Sequence, residues 1–260
     1  MVVFFDIDGT VVDNETQIIP ESAVEAIRLL RKNGHMAVVN TGRPYGQVDP
    51  RIRAMDFNGW ICACGMEILL DGEYIYRDYP TREQCVQIVD LAQECKMAIQ
   101  SESEDTLYFD RNITYNAIAT REAERLDKKG IKIVAFQDEP GCEFIKFVTY
   151  DTPGCRREDF IQGVSHVFEG IIRAGTLIEF VKCGHSKAEG MERFLRQMNI
   201  PKEETFAIGD SENDLPMFAM AGTTICLGDG IDWVKEKADY VTDPVLEDGV
   251  FNGLRHFGLI

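Results

Sequence analysis

The chain has 260 residues, 45% hydrophobic and 27% charged, with 44 acidic against 27 basic side chains and a formal net charge of -17. That length and composition suit an ordinary globular protein with a sizeable core, in one large domain or two modest ones. The acidic balance argues against a nucleic-acid or anionic-membrane partner, which would need basic surface, but leaves room for a small anion met by locally concentrated cations.

No apolar run approaches the roughly 20 residues of a transmembrane helix, and the N-terminus enters a strand without a basic leader. Eight cysteines, with no Cys-x-x-Cys and no histidine cluster at zinc spacing, read as reduced thiols in apolar segments. The expectation is a cytoplasmic protein.

The apolar run Val2-Val3-Phe4-Phe5 reads as a buried strand that ends abruptly in Asp6-Ile7-Asp8-Gly9-Thr10. In an α/β sheet, ligands gather just past the carboxyl ends of the strands. Two carboxylates two residues apart repel, so they call for a cation or a shared proton. Gly9 predicts a backbone turn and a close approach there. Pro20 or Ser22 then opens a helix, Ser22-x-x-Glu25 having the form of a capping box. Ala23, Val24, Ile27 and Leu30 follow helical spacing, and Gly34 ends the helix. A second strand, His35 to Asn40, runs directly into Thr41-Gly42-Arg43-Pro44. Strand, helix and strand at this spacing predict a parallel pair.

A helix is expected over Tyr45 to Met55, interrupted or begun by Pro50, and a third strand over Gly59 to Cys64, with Cys62 and Cys64 on one face. Ile68 to Tyr76 reads as a hairpin turning at Asp71-Gly72. From Pro80 to about Leu177 the pattern changes. Helices are expected at Thr81 to Cys95, Asn116 to Lys129 and Arg156 to Val167. Strands are expected at Met97 to Ile99, Leu107 to Phe109, Ile131 to Phe136, Phe144 to Tyr150 and Ile171 to Ala174. Parallel α/β structure is expected to resume at Ile178 to Val181. Gly184-His185-Ser186-Lys187 then leads into an amphipathic helix. The strand Thr205 to Ile208 ends in Gly209-Asp210-Ser211-Glu212-Asn213-Asp214, and further short elements close the chain. The expected organisation is an α/β domain of residues 1–79 and 178–260, a doubly wound parallel sheet, interrupted by an α+β domain of residues 80–177.

Three strand ends in the flanking halves carry polar groups: Asp6 with Asp8, Thr41, and Asp210 with Asn213 and Asp214. In a doubly wound sheet they meet at one rim. Lys187 opens a helix beside them, although the helix dipole disfavours a cation in a first turn. Taken singly, Thr41-Gly42 is a strand-ending turn and Asp210 to Asp214 a helix cap. Together, in this order and at roughly this spacing, the four stations resemble the haloacid dehalogenase superfamily. The α+β insert looks like the type-IIB cap of its Cof-like sugar-phosphate phosphatases.

The resemblance implies a Rossmann-like core with an inserted cap domain, and a Mg²⁺-dependent phosphomonoester hydrolase acting on a small phosphorylated metabolite. By resemblance Asp6 is the nucleophile that forms an aspartyl-phosphate, and Asp8 protonates the leaving alcohol and then deprotonates water. Asp6, Asp8 through its backbone carbonyl, and Asp210 are implied as Mg²⁺ ligands, with Asp214 in or just behind that shell. Thr41, Gly42, Lys187 and Asn213 are implied at the phosphate. Arg43 is carried with them, its role open between a substrate contact, a brace for the cap and a surface ion pair. His185 is set aside as an acid–base group because Asp8 fills that place.

Two departures stand out: Cys64-Gly65-Met66 where the family has an Asn-Gly pair, and Ala188 where glycine commonly follows the lysine. A phosphomutase on the same scaffold is the competing enzyme. A phospho-accepting signalling domain is the competing non-hydrolase, and it would have neither a large cap nor need of an acid at Asp8.

Overall fold

An apolar run with no polar face calls for a strand buried on both sides. In the computed structural model, which describes residues 1–115, 117–128, 130–174 and 177–260, β1 (Val2–Phe5) lies in the middle of an eight-stranded sheet. Helix α1 (Glu21–Lys32) follows, with buried Ala23, Ala26, Ile27 and Leu30. Val24, expected in that stripe, is exposed. The expected capping box at Ser22 does not form. Pro20, extended at φ -62°, is the N-cap, so Ser22 falls inside the first turn and the Glu25 carboxylate goes to Arg28 at 2.6 and 2.7 Å.

β2 (Met36–Asn40) pairs parallel with β1 in register Val3 to Ala37. In place of one helix over Tyr45 to Met55, a 3-10 turn at Tyr45–Gln47 precedes a short α2 (Pro50–Arg53). Pro50 lacks the N–H that a continuous helix would need. β3 (Gly59–Cys62) is parallel to β2 and stops two residues early. Ala63, Cys64 and Gly65 take φ of 49°, 54° and 88°, so Cys64 leaves the strand and does not alternate with Cys62. β4 (Glu67–Leu70) and β5 (Glu73–Arg77) form the expected hairpin. Asp71 and Gly72 both lie at positive φ, as a two-residue turn matched to strand twist requires.

α3 (Arg82–Glu94) carries a formed capping box between Thr81 and Gln84. It is followed by β6 (Ala98–Glu102), β7 (Thr106–Phe109), α4 (Ala117–Lys128), β8 (Lys132–Ala135), β9 (Lys146–Tyr150), α5 (Arg157–Val164), β10 (Phe168–Ala174) and β11 (Leu177–Lys182). The ends expected for the middle helix, Asn116 and Lys129, lie outside the described residues. These strands make a second sheet, ordered β10-β11-β9-β6-β7-β8. One face is packed by Cys85, Ile88 and Ala92 of α3 and Phe160 of α5 against Phe147 and Phe180. The Phe147 and Phe180 rings stack at 4.8 Å.

The strand at Ile178 to Val181 corrects the expectation. β11 runs antiparallel to both β10 and β9 and belongs to this second sheet, because Ile178 and Phe180 enter its phenylalanine core.

The first sheet then resumes through α6 (Lys187–Met198), β12 (Thr205–Gly209), α7 (Leu215–Met220), β13 (Thr223–Cys226), α8 (Asp232–Lys235), β14 (Tyr240–Val241) and α9 (Gly249–His256). Its order is β14-β13-β12-β1-β2-β3-β4-β5, with the six strands from β14 to β3 parallel to one another and β3 antiparallel to β4. Strand order reverses at β1, and α1 packs on α9 while α6 packs on α7.

The chain divides into two compact units. One comprises Met1–Arg43, Pro50–Arg77 and His185–Ile260, the other Pro44–Asp49 and Asp78–Gly184. Apart from the short Pro44–Asp49 segment, the chain enters the second unit at 77/78 and not at the expected 79/80, and leaves it at 184/185 and not at the expected 177/178, since β11 pairs inside the second unit. Among the described residues no helix is long and apolar enough to cross a membrane, and none of the eight cysteines is joined in a disulfide.

Helix α6 approaches the end of β3 through two glycines. A Cβ on Gly190 would lie 2.5 Å from Ile61 Cγ2 and 2.8 Å from Gly65 Cα. Gly190→Ala is therefore expected to cost about 1–3 kcal/mol through overpacking, measured by urea unfolding. A stability equal to wild type would contradict this packing.

Candidate active site

Because β12, β1 and β2 are adjacent and parallel, the residues that follow their carboxyl ends emerge at one rim. Asp6 leaves β1 with its N–H still on Ile208 O at 3.0 Å. Thr41 leaves β2 with its N–H on Ile61 O at 2.8 Å, and Asp210 leaves β12. All three are buried. Gly9, at φ 80°, lets the turn after β1 close over the same point. A Cβ there would sit 2.3 Å from Asp210 Oδ2, a space that only glycine keeps open.

Lys187 brings a buried cation to this rim. Its Nζ lies 2.7 Å from Asp6 Oδ1 and 2.6 Å from Asp214 Oδ1, and all three side chains are almost fully buried. Burial works against the charged ammonium, yet Asp214 and Asp6 outweigh it and hold the Lys187 pKa above its ordinary value.

The geometry that delivers Lys187 is local. Ser186 Oγ caps α6 by accepting from the N–H groups of Ala188 and Glu189 at 3.1 and 3.2 Å. Asn40, the last residue of β2, donates from Nδ2 to Lys187 O at 2.9 Å. Asn40 escapes a motif-based reading. Its signal in the sequence is an amide closing an otherwise apolar strand, where burial demands a hydrogen-bond partner.

Asp214 is committed elsewhere with its second oxygen, which accepts from the N–H groups of Asp210 and Ser211 at 2.9 and 3.0 Å. Asn213 Oδ1 accepts from Ser211 Oγ at 2.7 Å, so the Asn213 side chain is turned into its own loop. Thr10 donates to Asp210 Oδ1 at 3.3 Å, a contact that gives the last residue of the Asp-x-Asp-Gly-Thr motif a definite place.

One carboxylate oxygen from each of Asp6, Asp210 and Asp214 lies within 4.8 Å of the other two. Burial first, and Asp214 next, push the Asp6 pKa up to about 7 against the opposing pull of Lys187. Burial, then Asp6 and Asp214, push Asp210 up to about 8. Three carboxylates and one ammonium leave the cluster short of positive charge. Its donors are hard oxygens, so a hard divalent cation fits where protons would otherwise have to go.

Asp8 adds its charge to the upward push on Asp6 and is paired with Arg43. Arg43 Nε donates to Asp8 Oδ2 at 2.6 Å and Nη2 to Oδ1 at 2.9 Å, a two-pronged pair. Thr41 Oγ1 accepts from Arg43 N at 3.2 Å. His185 is engaged by Tyr76, whose hydroxyl is 3.0 Å from Nε2, and the Arg193 guanidinium lies over the Tyr76 ring. In the second unit a cavity of about 580 Å³ opens beside Gln100, Glu102, Arg121, Tyr150 and Glu179, where Glu179 also pairs with buried Lys146 at 2.6 Å.

A parallel sheet that ends in buried carboxylates around one lysine defines a class of site that can hold a hard cation and offer one carboxylate to an electrophile. The haloacid dehalogenase-like hydrolase family profile matches residues 3–254. The chain belongs to that family and is a phosphatase of it.

It is 26% identical, over 97% of its length and 95% of the relative, to the 5-amino-6-(5-phospho-D-ribitylamino)uracil phosphatase YitU of Bacillus subtilis (strain 168). It resembles the solved structure of the haloacid dehalogenase subclass IIB sugar phosphatase BT4131 with a TM-score of 0.80 and 26% identity, over 100% of this chain and 99% of that one. A structure from Geobacillus kaustophilus HTA426 shares the fold at a TM-score of 0.84 and 24% identity, over 100% and 99% of the two chains.

If Lys187 is what allows Asp6 and Asp214 to be buried together, Lys187→Met should destabilise the chain by about 3–5 kcal/mol. Adding Asp214→Asn should recover part of that loss. Denaturant unfolding of both variants in EDTA checks this, and an unchanged midpoint for Lys187→Met would refute it.

Proposed function

We propose that the chain is a Mg²⁺-dependent phosphomonoesterase that removes phosphate from a small phosphorylated metabolite through an aspartyl-phosphate on Asp6. The observation that carries the reading is the buried contact of Asp6 and Asp214 on Lys187, with Asp210 beside them. The YitU substrate is a ribityl phosphate by name, and BT4131 is a sugar phosphatase. Both favour a sugar or polyol phosphate, or a related cofactor phosphate, as the class to test first. The second unit is read as the cap that selects the leaving group.

In this reading Asp6 Oδ attacks phosphorus as the bond from phosphorus to the leaving oxygen breaks. Lys187, at 2.7 Å from Asp6, favours the ionised form of that carboxylate and faces the phosphoryl oxygens as a point charge. Asp8 delivers its proton to the departing alkoxide and then takes one from the water that attacks the aspartyl-phosphate, so the acid is regenerated. Thr41, with Oγ1 already accepting from Arg43 N, has its hydroxyl hydrogen to donate to a phosphoryl oxygen, and Gly42 contributes backbone beside it. Asn213, held by Ser211, supports the loop that presents Asp210.

Asp6, Asp210 and the backbone carbonyl of Asp8 would hold the cation. Asp214 would stand behind them, its oxygens taken by Lys187 and two backbone amides. When bound, Mg²⁺ would neutralise charge on the phosphoryl oxygens.

A phosphate-release assay over sugar, polyol and cofactor phosphates tests the reading. Turnover is expected with Mg²⁺, background with EDTA, and background for Asp6→Asn. Residual turnover by Asp6→Asn at the wild-type rate would sink it. Separately, Mg²⁺ is expected to raise the melting temperature of wild type and of Asp8→Ala but not of Asp210→Asn.

A further inference from the structure

The reaction assigned to Asp6 and Asp8 makes no use of Arg43, yet Arg43 is built firmly into the same rim. Its backbone N–H is held by Thr41 Oγ1 at 3.2 Å, and its carbonyl accepts from Ala63 N at 2.8 Å. The residues that supply this second tie are Ala63, Cys64 and Gly65, consecutive at positive φ. Cys64 N–H in turn reaches Thr41 O at 3.2 Å. Left-handed backbone at two non-glycine residues persists only where its surroundings over-determine it. Here the strained turn that replaces the expected Asn-Gly pair braces the Thr41–Arg43 segment from below.

What the brace holds in place is a guanidinium fork. Nε and Nη2 of Arg43 each meet a different oxygen of Asp8, at 2.6 and 2.9 Å, with the two side chains 19% and 32% exposed. A planar fork on a carboxylate fixes its direction as well as its charge. Asp8 bridges Val12 just before the Gly9 turn, and the Arg43 fork meets both oxygens of its carboxyl.

We propose that Arg43 is a positioning residue for Asp8: it aims the Asp8 carboxyl at the leaving oxygen of the substrate and does not itself hold the phosphate. The proposal rests on the reading of Asp8 as the acid. In the step concerned, the Asp6 oxygen bonds to phosphorus, the bond from phosphorus to the leaving oxygen breaks, and the Asp8 proton passes to that oxygen. Asp8 is left ionised, with two acceptor oxygens, and the Arg43 fork meets both in this geometry.

The test compares two aryl esters on the purified full chain with Mg²⁺. Phenyl phosphate needs a proton on its leaving group, and p-nitrophenyl phosphate needs little help. Losing an acid costs about 10²- to 10⁴-fold where the proton matters. Arg43→Ala is expected to lower kcat on phenyl phosphate at least about tenfold, as a misaimed acid would, and on p-nitrophenyl phosphate much less. KM and inhibition by inorganic phosphate should stay within about twofold, as expected when an interaction made only in the transition state is lost. Added guanidinium ion should restore part of the phenyl phosphate rate.

An equal loss on both esters, or a matching weakening of phosphate inhibition, would overturn the proposal and make Arg43 a phosphate contact. Should Arg43→Ala fail to fold, Arg43→Lys keeps the charge without the fork and must show the same selective loss; wild-type behaviour would overturn the proposal equally. Asp8→Asn separates the two claims. If it shows the ester selectivity and the Arg43 variants do not, the Arg43 assignment alone falls. If Asp8→Asn shows no selectivity, the acid reading falls and takes the Arg43 assignment with it.

Discussion

The rest of the site depends on one buried ammonium. Asp6, Asp210 and Asp214 cannot be gathered out of water within 4.8 Å of one another without something to offset their repulsion, and Lys187 does so from the middle, touching two of them. Its location looks wrong by local rules, because the first residue of a helix sits at the positive pole of the helix dipole. Two full negative charges in contact outweigh the roughly half charge of a helix end, so the misfit is resolved by tertiary structure. Burial first, and the remaining charge deficit after it, push Asp6 and Asp210 upward, and a hard cation would suit the cluster for that reason.

That lysine is delivered by backbone geometry more than by its own flexibility. The parallel order β12, β1, β2 brings three strand ends to one rim, and α6 is drawn in behind them. Gly190 allows the helix to touch Ile61 and Gly65, Ser186 caps it, and Asn40 holds the carbonyl of Lys187 itself. Each contact removes a way for Lys187 to miss. The same economy holds Asp210, whose carbonyl accepts from Ile231 N at 2.9 Å while its side chain meets Thr10.

What could be read from sequence follows from how local each signal is. The strand ends, the turn at Asp71-Gly72 and the four polar stations are written in contiguous residues, and elements of that kind emerged near their expected limits. Pairing is not local. Leu177–Lys182 has the same alternating pattern whether it joins a parallel or an antiparallel sheet, and only the phenylalanine core around Phe147 decides which. Ser22-x-x-Glu25 had the letters of a capping box, but Pro20 set the helix start first and Arg28 took the glutamate. Asn40 and the fork of Arg43 on Asp8 were invisible for a related reason: each joins residues 35 or more positions apart, and neither belongs to a motif of its own.

The two carboxylates of Asp6-Ile7-Asp8 end in unlike surroundings despite being two residues apart. Asp6 is sealed among charges, its one contacting cation a lysine that presents a compact point charge. Asp8 lies outward, partly open to solvent, and is met by a planar fork. A point charge leaves a carboxylate free to rotate an oxygen toward phosphorus, whereas a fork fixes both oxygens in a plane. The difference in partner matches the proposed roles, bond formation for Asp6 and directed proton transfer for Asp8. Lys187→Arg or Arg43→Lys would therefore alter more than charge.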